Sequence, residues 1–364
     1  MKKLFIFSNA NGYGGAERSM EDIVSLLNND YIVKVFASNE KHIENLDKIN
    51  DVEIIKLKNG NSPLVTIKNL VNIFVILKEE RKAKLLINTN KGAFYISILS
   101  FFLRLKINVF IYIRDFQWKY QKFIFNSLKK YNLLYLFTSE AFFDVESYFS
   151  QNIKNYKVIP NFIDISNDIK FHNKQIKDID EKIILIPAMI SRWKGIEYAI
   201  QALSLIKKEV LQHNIKLYIV GKVIDEEYFE ELNKLTDELS LSDIVIFKNY
   251  TDNIKEYYLK SWTVLNTSIS QYGGPETFGR TILEAWKYQK PVISFNCGGP
   301  KYIIDNGVNG FLVEEKNTKE LSQKILFLLD LNNYQRTTIN GLNTLTNIYS
   351  SKKIKSLLKE ILDK

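Results

Sequence analysis

Cysteine and histidine are scarce in this chain of 364 residues. The single cysteine, Cys297, excludes an intrachain disulfide and is typical of a protein from a reducing compartment. The three histidines, His42, His172 and His213, lack the spacing to a cysteine or carboxylate that a zinc site needs. The sequence therefore predicts neither a bound metal nor another cofactor.

Long uninterrupted apolar runs are also missing. The most apolar region, 93–113, is broken by Arg104, Lys106 and Asn108, which disfavours a helix that spans a membrane. The opening MKKLFIFSNA starts with basic residues, but its apolar run stops at Asn9 before a glycine-rich loop. That pattern is typical of a first β-strand rather than of a signal peptide. We therefore expect a soluble protein located in the cytoplasm.

Charge is unevenly distributed along the chain. The formal net charge is +9, and residues 1–180 hold 26 Lys and Arg against 19 Asp and Glu, which leaves 24 against 22 for the rest. A basic first half suits an anionic membrane surface, on which the protein would be peripheral, or a diphosphate-bearing acceptor. The alternative is that lysine is simply abundant throughout. Nucleic acid is not a predicted partner, because no basic helix with interleaved aromatic residues is present.

Strand-like and helix-like segments alternate along the chain, and 364 residues suit two domains rather than one. This alternation predicts parallel, doubly wound sheets in an α/β fold. We place a first domain at 1–170, a polar linker at 171–182 and a second domain at 183–345. A final helix is predicted at 346–364.

The first strand, Lys3–Ser8, leads into the loop NANGYGGAE and an amphipathic helix that starts at Ala16. Gly12, Gly14 and Gly15 allow a ligand to approach the backbone closely, as in the phosphate-binding opening of a Rossmann-like domain. However, the glycine spacing is not GxGxxG, and no acidic residue closes the second strand. A nicotinamide cofactor is therefore not favoured.

The stretch QYGGPETFGRTILEAWKYQKPV, residues 271–292, carries two glutamates eight residues apart, Glu276 and Glu284. Its apolar periodicity predicts a helix of about three turns that starts near Thr277–Gly279. Glu276 would then lie in the loop before the helix, and the free N–H groups of the first turn would form an anion site between the two carboxylates. The alternative is an ordinary helix with two solvated glutamates.

The segment PETFGRTILEAW resembles the E-x7-E motif of retaining GT-B glycosyltransferases of family 4, the group 1 transferases. The resemblance extends through PVISFNCGGP and NGFLV. In that family the first glutamate faces the hydroxyls of the donor sugar and the second holds the ribose, which assigns these roles to Glu276 and Glu284. The resemblance also implies the GT-B fold, with two Rossmann-like domains that face each other across a cleft and a last helix that crosses back to the first domain.

Two further segments match the same family. GGAER resembles the N-terminal loop that lies against the donor diphosphate, and the Lys194-Gly195 pair resembles a diphosphate-binding motif. A lysine there could neutralise the charge that builds on a departing phosphate. By resemblance, the donor-binding residues are Gly14, Gly15, Arg192, Lys194, Glu276, Thr277, Phe278, Gly279, Arg280 and Glu284. The catalytic residues are Glu276, Lys194 and Asp115.

The chain departs from the family pattern at three positions. Met189 falls where the family has a phosphate-binding arginine, and the nearby Arg192 is a candidate substitute. Arg114 replaces the histidine of a His-Asp pair, so only Asp115 carries over, and an ordinary Asp–Arg surface pair is the alternative. Tyr302 stands where a glutamate usually follows GGP.

The resemblance thus predicts a retaining, metal-independent transfer of a hexose or N-acetylhexosamine from a nucleoside diphosphate sugar, UDP rather than GDP. The acceptor would be a saccharide or a lipid-linked saccharide, in the synthesis of a cell-envelope polysaccharide. Two alternatives share the fold: a non-catalytic subunit of a transferase complex, and a sugar-nucleotide epimerase, which would need more histidines than this chain has.

Overall fold

A computed structural model of the chain describes residues 1–80, 83–103, 108–116, 118–145, 147–165 and 180–363. The chain divides into two compact units. Unit 1 comprises Met1–Asn161 together with Ser351–Lys364, and unit 2 comprises Phe162–Ser350. Most of the linker predicted at 171–182 lies outside the described residues.

Unit 1 is built on a seven-stranded parallel sheet with the strand order β3-β2-β1-β4-β5-β6-β7. Its central strands bury nearly all of their side chains, because helices cover both faces of the sheet. The strands are β1 (Lys2–Ser8), β2 (Tyr31–Ala37), β3 (Val52–Lys56), β4 (Lys84–Ile87), β5 (Asn108–Ile113), β6 (Asn132–Phe137) and β7 (Tyr156–Val158).

The helices of unit 1 follow its strands in the alternation that the sequence predicts. They are α1 (Gly15–Leu27), α2 (Glu40–Leu46), α3 (Pro63–Glu79), α4 (Asn90–Leu99), α5 (Gln121–Leu128), α6 (Ala141–Val145) and α7 (Ser147–Asn152). The strand order reverses direction after β3, so right-handed crossovers place α1 and α2 on one face of the sheet and α3, α4 and α5 on the other. In agreement, α3 packs beside α4, and α4 beside α5.

Unit 2 repeats this plan with a six-stranded parallel sheet in the order β10-β9-β8-β11-β12-β13. Its strands are β8 (Lys182–Ile186), β9 (Ile215–Val220), β10 (Val245–Lys248), β11 (Ser261–Asn266), β12 (Val292–Phe295) and β13 (Phe311–Val313). Its helices are α8 (Ile196–Leu205), α9 (Lys207–Gln212), α10 (Glu226–Glu238), α11 (Lys255–Lys260), α12 (Arg280–Lys287), α13 (Pro300–Ile303), α14 (Thr318–Phe327) and α15 (Leu331–Ile348). None of the helices in the described ranges is long and apolar enough to cross a bilayer.

The first unit ends at Asn161, nine residues before the predicted boundary at 170. Ile163 is buried in the core of unit 2 and forms a parallel bridge with Ser350. The last helix also starts later than the predicted 346. Tyr349 still packs in unit 2, with its ring 5.9 Å from that of Phe278. The change of unit therefore falls between residues 350 and 351.

The last helix, α16 (Ser351–Asp363), packs in unit 1 beside α1. Ile354, Leu358 and Leu362 form its buried side. Lys355 Nζ lies 2.7 Å from the Asp30 carboxylate, which Lys359 also contacts. Hydrogen bonds from these two lysines lower the pKa of Asp30. Apolar packing and a charge cluster thus both hold α16 on this unit.

Candidate functional site

Three loops of unit 2 meet at the carboxyl edge of its sheet. They follow β8, β11 and β12, which are adjacent strands. Strands β9 and β10 lie on one side of β8 in the sheet, and β11, β12 and β13 lie on the other side. The strand order therefore reverses between β8 and β11. Open α/β sheets bind ligands at this edge, at the point where the strand order reverses. Most of the predicted site residues lie in these loops.

The loop after β8 places Lys194 at the end of a 3₁₀ turn, Arg192–Lys194. Gly195 follows with φ +55°, and a Cβ there would lie 2.3 Å from the carbonyl oxygen of Thr267, so the position requires glycine. The Thr267 hydroxyl donates to the Lys194 carbonyl at 2.9 Å. The loops after β8 and β11 are therefore held together directly beside Lys194.

The side chains of Lys194 and Glu276 form an ion pair in this site. The two side chains are 12% and 18% exposed, so the pair is screened from bulk water but still accessible. The Ser268 hydroxyl lies 3.2 Å from the same Glu276 oxygen. Lys194 Nζ also lies 3.7 Å from the centre of the Trp193 ring, where the cation faces the π-system.

The GGP segment after β12 supports the loop that carries Glu276. The Gly299 N–H donates to the Glu276 carbonyl at 2.7 Å. A Cβ at Gly299 would lie 2.3 Å from the Cα of Phe278, so only glycine lets these two segments touch. The sequence resemblance included GGP without a structural role. The structure shows that this segment fixes the backbone before α12.

Helix α12 has eight residues and begins at Arg280, so it is shorter than the predicted three turns. Gly279 precedes it with φ +96°, which is not a helical conformation. The helix therefore begins one residue after the predicted start at Thr277–Gly279. Ile282, Leu283, Ala285 and Trp286 form its buried stripe, as the periodicity predicts. The first turn, at the positive end of the helix dipole, directly follows the Glu276–Gly279 loop.

Glu284 lies on α12 and is 23% exposed. One of its oxygens accepts a hydrogen bond of 2.8 Å from the hydroxyl of Tyr258, which is fully buried on α11. The other lies 3.4 Å from Nε of Arg280, one turn earlier on α12. Burial and the Glu284 charge raise the pKa of Tyr258 well above its usual value, so this tyrosine stays a proton donor. No pattern in the sequence points to Tyr258, which is 26 residues away from Glu284 in the chain.

Arg192 pairs with other carboxylates than Lys194 does. Its guanidinium makes two hydrogen bonds of 2.7 Å to the carboxylate of Glu231 on α10. It also lies 3.4 Å from Asp225 and 3.5 Å from Glu227. The charge of Arg192 is thus neutralised by acidic side chains. Arg192 as the substitute for the arginine that Met189 replaces stays a prediction.

In unit 1, Gly14 and Gly15 follow the carboxyl end of β1 at the start of α1. Gly14 has extended backbone and donates its N–H to the buried Glu17 carboxylate at 2.8 Å. A Cβ at Gly15 would meet nothing within 4 Å. The Gly14 N–H, which is predicted to face a diphosphate, is therefore hydrogen-bonded to Glu17 in this structure. The Gly15 position has open space around it.

Asp115 follows the carboxyl end of β5. The surrounding protein partly desolvates its carboxyl and raises the pKa, although the side chain keeps solvent contact and the positive charge of Arg114 acts in the opposite direction. Arg114 itself is buried, with its guanidinium 3.9 Å from the Tyr112 ring centre and 3.1 Å from Asn161 Oδ1. Arg114 is therefore a buried residue of unit 1.

The histidines include one buried contact that spacing did not predict. His42 Nδ1 lies 2.7 Å from Glu21 and Nε2 lies 3.0 Å from the Ser8 hydroxyl. His42 and Ser8 are both fully buried, so this group joins β1, α1 and α2 as part of the core. Within the part of the chain that the structure describes, no group of three or more potential ligand side chains could hold a metal ion.

Cys297 offers a simple test of the packing behind the site. Its thiol contacts the Ser268 carbonyl at 3.0 Å, and burial, with the charges of Glu315 and Glu276, raises its pKa to about 12. The reactive thiolate is therefore rare at neutral pH. We expect a colorimetric disulfide reagent to modify the folded protein far more slowly than the chain unfolded in guanidinium. Equal rates in the two states would show that the Ser268–Cys297 packing is open.

Comparisons with known proteins show which sequences and folds this chain resembles. Residues 167–342 match the model of the family "Glycosyl transferases group 1". The poly(glycerol-phosphate) alpha-glucosyltransferase of Bacillus subtilis is 28% identical over 163 residues, which are 42% of this chain and only 23% of that protein. The capsular polysaccharide biosynthesis glycosyltransferase CapM of Staphylococcus aureus is 24% identical over 347 residues, 88% of this chain and 86% of that protein.

The same fold is found among solved structures. Alr3699/HepE of Anabaena, crystallised in complex with UDP, matches with a TM-score of 0.81 and 22% identity over 100% of both chains. The two parallel-sheet α/β units, with seven and six strands, are thus those of the GT-B fold. The chain has the GT-B fold, and its second unit carries the sequence pattern of the group 1 glycosyl transferases.

Proposed function

We propose that this protein is a retaining glycosyltransferase that moves a hexose or N-acetylhexosamine from a nucleoside diphosphate sugar to a saccharide or lipid-linked acceptor. The observation that carries the proposal is the Lys194–Glu276 pair beside the start of α12. A cation, a carboxylate and the positive end of a helix meet there within one partly buried site. These three groups suit a ligand that combines phosphates with sugar hydroxyls.

The chemistry follows from what each group can offer. As the sugar–phosphate bond breaks, negative charge grows on the departing diphosphate, and Lys194 and the first N–H groups of α12 would stabilise it. Glu276 would accept hydrogen bonds from donor hydroxyls near a sugar centre that becomes positive. The acceptor hydroxyl would attack on the face from which the diphosphate leaves and would pass its proton to the departing phosphate oxygen, which retains the configuration without a protein nucleophile.

Glu284 would bind the ribose. It lies on α12 beyond the proposed diphosphate position, and Tyr258 and Arg280 orient its carboxylate from two sides. Asp115, Gly14 and Gly15 are proposed from the family resemblance alone, as residues at the carboxyl edge of the first sheet. The lysine is also the reason to propose turnover without a metal ion, because it supplies positive charge where a divalent cation would otherwise be needed.

The proposed donor is a UDP-sugar, and the proposed pathway is the synthesis of a cell-envelope polysaccharide. UDP is supported by the ligand named for the Anabaena protein, and the pathway by the relatives named for poly(glycerol-phosphate) and for capsular polysaccharide. Both remain proposals for this chain, because the Bacillus relative is matched over 23% of its length and the Anabaena protein is only 22% identical.

A thermal-shift panel of UDP, GDP and ADP tests the donor site. At a ligand concentration of one hundred times Kd, binding adds about 2.7 kcal/mol of stability, which we expect to raise the Tm of unit 2 by about 5–10 °C with UDP. Glu284→Ala should lose this shift, because the ribose hydroxyls lose their acceptor. The expected order is UDP well above GDP and ADP.

Two controls make the panel decisive. In Glu284→Ala the buried Tyr258 hydroxyl loses its hydrogen-bond acceptor, which by itself costs stability. Glu284→Gln keeps an oxygen that can accept from Tyr258, so it separates this cost from the loss of ribose binding. Glu238→Ala, on the exposed side of α10, should shift with UDP as the wild type does. A wild-type protein that responds to no nucleotide would contradict the proposal and favour a non-catalytic subunit.

A further inference from the structure

One face of unit 1 exposes an unusual amount of apolar surface. On α3, Leu64, Ile67, Val71 and Val75 recur at helical spacing, and each is more than half exposed, up to 71% for Leu64. The opposite side of the same helix packs into the core through residues such as Ile73. The helix therefore has apolar residues on both sides, although only one side has core to cover it. A solvated helix would carry polar residues on its outer side.

Aromatic side chains continue this surface on the neighbouring helices. Phe101 and Phe102, just after α4, are 65% and 72% exposed, and Tyr120 and Phe123 at the start of α5 are also exposed. The rings of Phe101 and Phe123 stack with centroids 6.2 Å apart. Because α3, α4 and α5 pack side by side on one face of the sheet, these residues belong to a single layer of unit 1. We call this layer the α3–α5 face.

The charges on the α3–α5 face are mostly positive. Residues 63–79, 90–103 and 118–131, which form its helices and their ends, contain one acidic residue, Glu79 at the end of α3. Exposed lysines border the apolar residues, namely Lys68, Lys78, Lys119, Lys122, Lys129 and Lys130. The acidic residues of α1 and α2 lie on the opposite face of the sheet, as the crossover directions require. The net positive charge of the first half is therefore concentrated here in an ordered arrangement.

We propose that the α3–α5 face binds the surface of an anionic lipid bilayer. Isolated exposed apolar residues are ordinary, but a contiguous apolar patch marks an interaction site. Phenylalanine and tyrosine suit the boundary between headgroups and acyl chains, and lysines pair with anionic headgroups while their methylene stems cover apolar surface. One acidic residue stands against six exposed lysines in the three segments, so an anionic surface would attract this face far more than it repels it.

The charge distribution along the sequence suggests an anionic membrane as a partner, and the α3–α5 face is the proposed site of that contact. It lies on the surface of unit 1, and its proposed role needs no assumption about the donor. If the proposed transfer to a lipid-linked acceptor is correct, the α3–α5 face would keep the enzyme at the membrane where that acceptor lies.

Vesicle flotation tests the proposal directly. The probe is a vesicle of seven parts phosphatidylcholine to three parts phosphatidylglycerol, with pure phosphatidylcholine for comparison. We expect the wild type to float with the anionic vesicles at low salt and to be released by high salt. The double variant Ile67→Asp/Val71→Asp should bind about tenfold more weakly, because it places two charges in the apolar stripe. Lys122→Glu/Lys129→Glu should also weaken binding, and chiefly at low salt.

Matched controls distinguish membrane binding from loss of folding and from unspecific adhesion to lipid. Leu211→Asp changes a residue on α9 of unit 2 that is 64% exposed and lies outside the face, so its binding should equal that of the wild type. Thermal melting should be unchanged in every variant, because the replaced side chains contact solvent. Flotation uses neither donor nor acceptor, so its result does not depend on the transferase proposal.

Three outcomes would overturn the proposal: no wild-type binding to anionic vesicles at low salt, equal binding to both vesicle types, or full binding by the Ile67→Asp/Val71→Asp variant. Sedimentation of the protein alone identifies the main competitor. A wild-type dimer that the same double variant converts to a monomer would show that a second copy of this chain covers the face.

Discussion

Replacing Lys194 by alanine is expected to lower kcat/KM for the proposed sugar transfer by about 10²–10³-fold, the range found when one preorganised stabilising group is removed from an active site. The lysine pairs with Glu276 before the donor binds, and we expect it to face the departing diphosphate. Because its effect grows as the bond breaks, most of the loss should fall on kcat rather than on KM. Steady-state kinetics with the donor identified by thermal shift measure both constants.

The controls for Lys194 follow from its surroundings. Lys234→Ala removes a lysine of α10 that is 79% exposed, and it should leave kcat/KM unchanged. In Lys194→Ala the Glu276 carboxylate is left without its ion-pair partner, and this can account for part of the loss in kcat/KM. The double variant Lys194→Ala/Glu276→Ala tests this, because it removes both members of the pair. Wild-type turnover should also persist in EDTA. Full activity of Lys194→Ala, or complete loss in EDTA that added metal restores, would contradict the proposed role.

Replacing Gly299 by alanine is expected to lower kcat/KM by about 10²-fold, although Gly299 has no side chain to offer a ligand. The added Cβ would lie within 2.5 Å of three backbone atoms of Phe278, so the loop that carries Glu276 must move. A displacement of about 1 Å in a catalytic group is enough for a loss of this size. The same overlap should cost about 1–3 kcal/mol of unfolding free energy, which urea denaturation measures.

Gly307 provides the matched control for Gly299. It has φ +81° in the turn before β13, but a Cβ there would meet nothing within 4 Å. Gly307→Ala should therefore cost about 1–2 kcal/mol through backbone strain alone and keep wild-type kinetics. If Gly299→Ala keeps wild-type kcat/KM while losing stability, the GGP segment supports only the fold and not the position of Glu276.

The regular elements of both units follow closely from local sequence. The predicted first strand, residues 3–8, matches β1 to within one residue at each end, and the predicted alternation of strands and helices recurs in both units. Buried parallel strands are continuous apolar runs bounded by polar loops, and this signal does not depend on distant residues. Lys194 and Glu276 are predicted from motifs that resemble those of the group 1 transferases, and the structure places both in loops at the carboxyl edge of the second sheet.

The partners of the site residues could not be predicted, because they depend on contacts between distant parts of the chain. Nothing near Glu284 in the sequence points to Tyr258, and the acidic side chains around Arg192 come from a helix that starts at Glu226. The length of α12 was also overestimated. Apolar periodicity continues through Phe278, but Gly279 adopts a positive φ and the helix begins only at Arg280.

The return of α16 to unit 1 has a consequence for synthesis on the ribosome. Unit 2 is encoded without interruption by Phe162–Ser350 and can fold as soon as that segment has emerged. Unit 1 begins first but lacks one of its helices until Ser351–Asp363 has been translated, so the α1 side that α16 covers stays uncovered through the whole synthesis of unit 2. The unit that starts first is thus completed last, and a chaperone that binds nascent chains would have the buried side of α1 as its target.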